Sequence, residues 1–170
     1  PDEPFRIDMP STRAICMHHG PNSTSNTAGT LVADLCSDGS RLAVYWCSFY
    51  SPCLGIFMPI LSEGEVPEVL AEGGEHSSEQ SPWWLLRELA RSTRVGDGFD
   101  ESAVAALRSE WAEMQRELLV SAYEMAAEGR ELIDQGKEKS ASKMLTKYMR
   151  TNTDRTVKKA RQLVSRLPVT

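Results

Sequence analysis

The spacing of apolar residues changes period partway along the chain. Up to about residue 61 it favours strands, and beyond residue 81 it favours helices. "AICMH" (14–18) predicts a short strand, and "HGPNSTSN" (19–26) is a polar stretch whose Gly20-Pro21 is turn chemistry. "TAGTLVADLCS" (27–37) predicts a second strand, with Leu31, Ala33 and Leu35 on one face by period-two alternation. Asp38-Gly39 marks a hairpin turn, and "RLAVYWCSF" (41–49) is the returning strand, rich in β-branched and aromatic residues. "YSPC" turns the chain into "LGIFMPI" (54–60). Pro59 lacks an amide donor, so that strand must end there or lie at a sheet edge.

Residues 62–82 are acidic and rich in Gly, Pro and Ser, which predicts a loop whose middle is the segment most suited to disorder. A helix then starts with Ser81 at the N-cap and Pro82 in the first turn, and "VGDGF" (95–99) breaks it. Asp100 caps a longer helix over about 101–135. Its Val104, Leu107, Trp111, Met114, Leu118, Ser121 and Met125 recur at three- and four-residue steps, with Tyr123 between the last two, and Gly136 suits its C-terminus. Two further helices are expected, one ending around Asn152 and one over "TDRTVKKARQLVSRL", stopped by Pro168. Strands first and helices afterwards imply an α+β fold with segregated layers. The expected division is a strand-rich segment (1–61), an acidic flexible loop (62–80) and a helical region (81–170) that forms one domain with the first segment.

The expected strand 41–49 is apolar on both sides, Leu42, Val44 and Trp46 on one and Ala43, Tyr45 and Cys47 on the other. A strand buried on both faces needs material on both sides of its sheet. The helices of this chain supply one layer, so a further layer is expected from another part of the protein or from a partner chain.

The chain has 170 residues, 41% of them hydrophobic and 25% charged, enough for one ordinary domain with a core. No apolar run approaches the roughly 20 residues that span a bilayer, and "PDEPFRIDMP" has no signal-peptide pattern. No membrane partner and a cytoplasmic location are therefore expected. The net charge of −5 is uneven: residues 1–85 hold 3 Lys/Arg against 11 Asp/Glu, and residues 86–170 hold 16 against 13. The basic excess lies in "TDRTVKKARQLVSRL". Without interleaved aromatics it reads as a solvated helix face, or one paired with an acidic surface, and not as a nucleic-acid site.

Cys16, Cys36, Cys47 and Cys53 contain no CxxC pair and are expected to be reduced and mostly buried. Cys16-x-His18-His19 is the densest set of potential ligands. A zinc site would need a further donor from Cys36, Cys47, Cys53 or His76, and the spacing fits no standard pattern, so no metal is expected. A Cys16–His18 nucleophile pair meets a second difficulty: on one strand their Cβ atoms lie roughly 6–7 Å apart, too far for a direct bond without favourable rotamers. The polar residues of "GPNSTSNTAGT" suit turn stabilisation and peptide binding equally. The tryptophans of "PWWLLRELAR" read as core.

Taken together, "ICMHHGPNSTSNTAGTLVADLCSDGSRLAVYWCSFYSPCLGIFMPIL" and the later "WWLLREL" resemble the C-terminal half of the secernin/dipeptidase group of N-terminal-nucleophile hydrolases. The resembling elements are Ile15 to His18, Thr27 to Thr30, Leu42 to Cys47, Ile56 to Pro59 and Trp83-Trp84; the helical tail is not covered. The resemblance implies part of a four-layer αββα sandwich, antiparallel strands first and helices after. It also implies cleavage of linear amide bonds in dipeptides or acyl amides by an N-terminal Cys whose own amine is the base. Such an amine titrates near pH 8 and accepts a proton at neutral pH. Position 1 is Pro and the first Cys is Cys16, so the nucleophile is expected on an upstream segment and no catalytic residue is carried onto this chain. His18, His19 and Asn26 are the substrate-side candidates. The expected partners are the N-terminal portion of the same protein, a peptide or acyl-amide substrate and a second copy through the helical region. No cofactor is expected.

Overall fold

The computed structural model describes residues 16–18 and 25–168. Strands β1 (Gly29–Asp34), β2 (Val44–Phe49) and β3 (Met58–Ile60) form one antiparallel sheet in the order β1-β2-β3. Helix α1 (Pro82–Arg91) is followed by a small hairpin, β4 (Arg94–Val95) and β5 (Gly98–Phe99). Two long helices, α2 (Glu101–Asp134) and α3 (Glu138–Val164), complete the architecture. Among the described residues, no helix is long and apolar enough to cross a membrane.

The mixed α+β class is as the pattern predicts, with the main antiparallel sheet before the helices; the β4–β5 hairpin falls between α1 and α2, at the expected break. β2 alternates strictly: Val44, Trp46 and Ser48 are buried, while Tyr45, Cys47 and Phe49 are half-buried. Val44 and Trp46 join a core built from Leu85, Leu86 and Leu89 of α1, Trp111 and Leu118 of α2, and Leu145 and Met149 of α3. The other face carries Leu31, Ala33, Tyr45 and Cys47, paired across β1 and β2, and these stand outside that core. Expected burial of β2 on both faces is therefore met on one face and only partly on the other. The expected apolar face of β1 is exposed, because β1 is an edge strand and the helices pack against the opposite side of the sheet. β3 is the other edge, which accommodates Pro59 opposite Trp46 without losing a central ladder bond.

The helix signals hold at their ends. Ser81 and Pro82 start α1, although the buried Ser81 hydroxyl finds no hydrogen-bond partner among the described residues and makes no cap. The Asp100 carboxylate accepts from the backbone N–H groups of Ser102 and Ala103 and caps α2. Gly136 at φ 70° ends α2 in a Schellman turn, with Lys137 N–H donating to Leu132 O and Gly136 N–H to Ile133 O.

The expected break near Asn152 does not occur: α3 runs unbroken through it. Asn152, Thr153 and Thr156 are buried there. Two of them are satisfied within the helix, Asn152 Nδ2 donating to Tyr148 O and Thr156 Oγ1 to Asn152 O. The basic stretch of α3 meets its acidic surface inside the chain. Arg155 pairs with Glu117 at 2.6 Å, and Lys159 and Arg166 reach Glu110 at 3.6 and 3.9 Å, all across to α2. Trp83 and Trp84 are also not core. Both are half-buried, and they fasten loops, Trp83 Nε1 donating to Ala28 O at 2.7 Å and Trp84 Nε1 to Gly74 O at 3.2 Å.

Candidate thiol and imidazole site

β2 ends at a left-handed residue. Tyr50 has φ 57°, rare for a bulky side chain, and is held there by its N–H donating to Ala28 O and by an edge-on contact with the Trp83 ring. This turn throws Ser51, Pro52 and Cys53 off the sheet. The Arg108 guanidinium of α2 then fixes the new direction, Nε donating to the Cys53 carbonyl at 2.9 Å. Cys53 is thereby placed by a strained turn and a helix side chain together.

Residues 16–18 arrive from the other side. They do not form the expected strand; Ala14 and Ile15 lie outside the described residues. Met17 makes a two-point pairing with Thr27, its N–H donating to Thr27 Oγ1 at 2.8 Å and its carbonyl accepting from Thr27 N–H at 3.0 Å. One paired residue does not make a ladder, and the chain is free to turn Cys16 and His18 toward Cys53.

The donor atoms of Cys16, His18 and Cys53 all lie within 4.8 Å of one another. His18 Nε2 is 3.2 Å from Cys53 Sγ, and its Nδ1 is 3.4 Å from Ser51 Oγ. The Phe99 ring of the β4–β5 hairpin packs edge-on against the imidazole at 5.0 Å. Cys16 is buried; His18 and Cys53 are half-buried.

The two thiols are electrostatically unequal. The neighbouring Cys53 side chain and, with a smaller contribution, His18 hold the Cys16 thiol well below its ordinary range against the opposing effect of burial. Cys53 is pushed up in turn, first by the sulfur it bonds and then by burial. The two thiols are thus shifted in opposite directions by one contact. Cys47 is raised by burial alone, as an inert thiol is. Cys36 stands apart in the β1–β2 loop and donates to the Asp38 carboxylate at 2.8 Å.

Of the sequence-predicted residues, His18 is in this cluster. Asn26 is not: its amide donates to the adjacent Thr27 carbonyl at 2.9 Å, a local turn contact. His19 lies outside the described residues. In the sequence Cys53 is only one of several possible further ligands. Ser51, Phe99 and Arg108 carry no signal there at all, since each owes its role to a neighbour distant in the chain. No protein-family model, no curated protein and no solved structure matches the chain.

Proposed function

We propose that the chain is the C-terminal portion of an amide hydrolase of the N-terminal-nucleophile type, acting on linear C–N bonds of dipeptides or acyl amides. Its nucleophilic Cys would lie on an upstream portion of the protein. The observation that carries this reading is the uneven cover of the sheet. Val44 and Trp46 are sealed beneath the helices, whereas Leu31 on the other face is 65% exposed and Tyr45 and Cys47 are only half-covered. A second sheet stacked on that face would bury them and produce the layered sandwich that the resemblance implies. The order of elements, the main antiparallel sheet before the helices, supports the same reading.

The test is to produce the chain joined to its upstream coding region and assay release of free amine from dipeptides and acyl amides. Turnover is expected from the joined protein and not from the 170 residues alone. Changing the upstream N-terminal Cys to Ala must abolish it, and full activity in that variant would overturn the reading. The same face would then be protected from hydrogen exchange in the joined protein only.

A second reading is an interaction module that keeps the fold without the chemistry. The observation favouring it is the exposure of Leu119, Val120 and Tyr123 on α2. It predicts self-association that Val120→Glu weakens, with no amide turnover from the joined protein.

A further inference from the structure

We propose that Cys16, His18 and Cys53 form a binding site for a divalent cation of the zinc class, with three protein donors among the described residues. This site is independent of the hydrolase reading.

The donor set selects the ion. Two sulfurs and one imidazole nitrogen suit zinc and its chemical neighbours, and disfavour magnesium and calcium, which take oxygen. Zinc bonds sulfur at about 2.3 Å and imidazole nitrogen at about 2.0–2.1 Å, so tetrahedral neighbours stand roughly 3.4–3.8 Å apart. The three donor atoms lie within 4.8 Å of one another and one pair is at 3.2 Å, so small side-chain rotations bring all three to ligating positions.

The surroundings are those of a held site. Ser51 Oγ at 3.4 Å from Nδ1 can accept a hydrogen bond from Nδ1–H, the tautomer that leaves the Nε2 lone pair for a metal. An outer partner of this kind is what orients and strengthens a metal-binding histidine. Phe99 fixes the ring plane, Thr27 clamps Met17 between Cys16 and His18, and Arg108 holds the Cys53 backbone. The three donors come from two segments packed by different elements, so the arrangement is not an accident of neighbouring residues on one loop.

A metal binds both sulfurs as thiolates, so any thiol protons are released on binding. Among the described residues the cluster supplies three of the four ligands of a tetrahedral zinc site.

The probe is cobalt(II), titrated anaerobically into the full, reduced 170-residue chain. One equivalent is expected to give sulfur-to-cobalt charge transfer in the near ultraviolet and the intense visible bands of tetrahedral coordination. Zinc should displace the cobalt. Cys16→Ser, Cys53→Ser and His18→Gln should each weaken binding at least about 100-fold, and Ser51→Ala about 10-fold or more, the size of outer-partner effects. Cys36→Ser and Cys47→Ser should bind as the parent does. Circular dichroism of each metal-free variant checks folding. If a Cys variant does not fold, the charge-transfer band of the parent and the Ser51→Ala weakening still decide the matter. Absence of the band in the reduced parent, its persistence in a folded Cys16→Ser or Cys53→Ser, or a Cys16–Cys53 disulfide that survives reductant would each overturn the proposal.

Discussion

Gln115 holds the backbone of Phe57 by both ends of its side-chain amide. Oε1 accepts from Phe57 N–H at 2.8 Å, and Nε2 donates to Phe57 O at 3.2 Å. The contact joins α2 to the residue just before edge strand β3, where no further strand among the described residues satisfies the backbone. A residue fifty-eight positions away in sequence thus completes the pairing of this segment. Gln115→Met keeps the length but removes both bonds. It is expected to cost about 1–3 kcal/mol, the desolvation of partly buried groups left unpaired, read from urea unfolding. An unchanged midpoint would show that water replaces the amide without loss.

The Cys16–Cys53 pair gives stability a distinctive pH dependence. The folded state lowers one thiol and raises the other. The Cys16 contribution is complete above the unfolded thiol value, about 8.5, and is lost as pH falls toward the folded value. The Cys53 contribution is complete below that same unfolded value and is lost as pH rises. The stability difference between the parent and Cys16→Ser should therefore peak near about pH 8.5 and shrink on both sides. Metal-free thermal unfolding across pH tests it, and a flat difference would mean that the two thiols do not shift each other.

Trp111 is 2% exposed, and its indole N–H has no hydrogen-bond partner among the described residues. The Lys159 ammonium lies 5.7 Å from the ring centre, so the aromatic face is used while the donor is not. Trp111→Phe gives up volume but also removes an unsatisfied donor, and should cost less than about 1.5 kcal/mol. Trp111→Ala should cost about 3–5 kcal/mol. Comparable losses in the two variants would reveal a hidden partner for the indole.

Gly64 lies where a loop is pressed on α3. A Cβ there would stand 2.9 Å from the backbone nitrogen of Thr146 and 2.7 Å from Met149 Cε. The flanking bonds, Leu61 N–H to Met149 Sδ and Glu65 N–H to Thr146 Oγ1, keep the loop from moving away. Gly64→Ala should destabilise by about 1–3 kcal/mol through overpacking. Gly74→Ala, in the same acidic loop with open space around it, should be neutral. The melting temperatures of the two variants make the comparison.

Local signals in the chain were sufficient for much of the architecture. The alternation over 44–49, the Asp100 cap, the Gly136 turn and the three- and four-residue steps of α2 each act within a few residues, so each is readable from spacing. Pro59 marked an edge because a missing donor is a local fact. Asn152-Thr153 misled because Asn and Thr lower helix propensity by only about half a kcal/mol each. Packing against α2, which includes Thr156 Oγ1 within 3.7 Å of Met114 Sδ, outweighs so small a bias.

The candidate site lay outside the reach of any local reading. Cys16 and His18 could be judged as neighbours on a strand, but their third partner stands thirty-five residues beyond His18. Cys53 reaches them only because Tyr50 turns left-handed and Arg108 anchors the Cys53 carbonyl. The sequence by itself determined most of the strands and helices and most of their ends, since those depend on interactions a few residues long. The tertiary structure alone decided that two thiols and an imidazole converge, because convergence depends on how distant segments pack, which no spacing along the chain records.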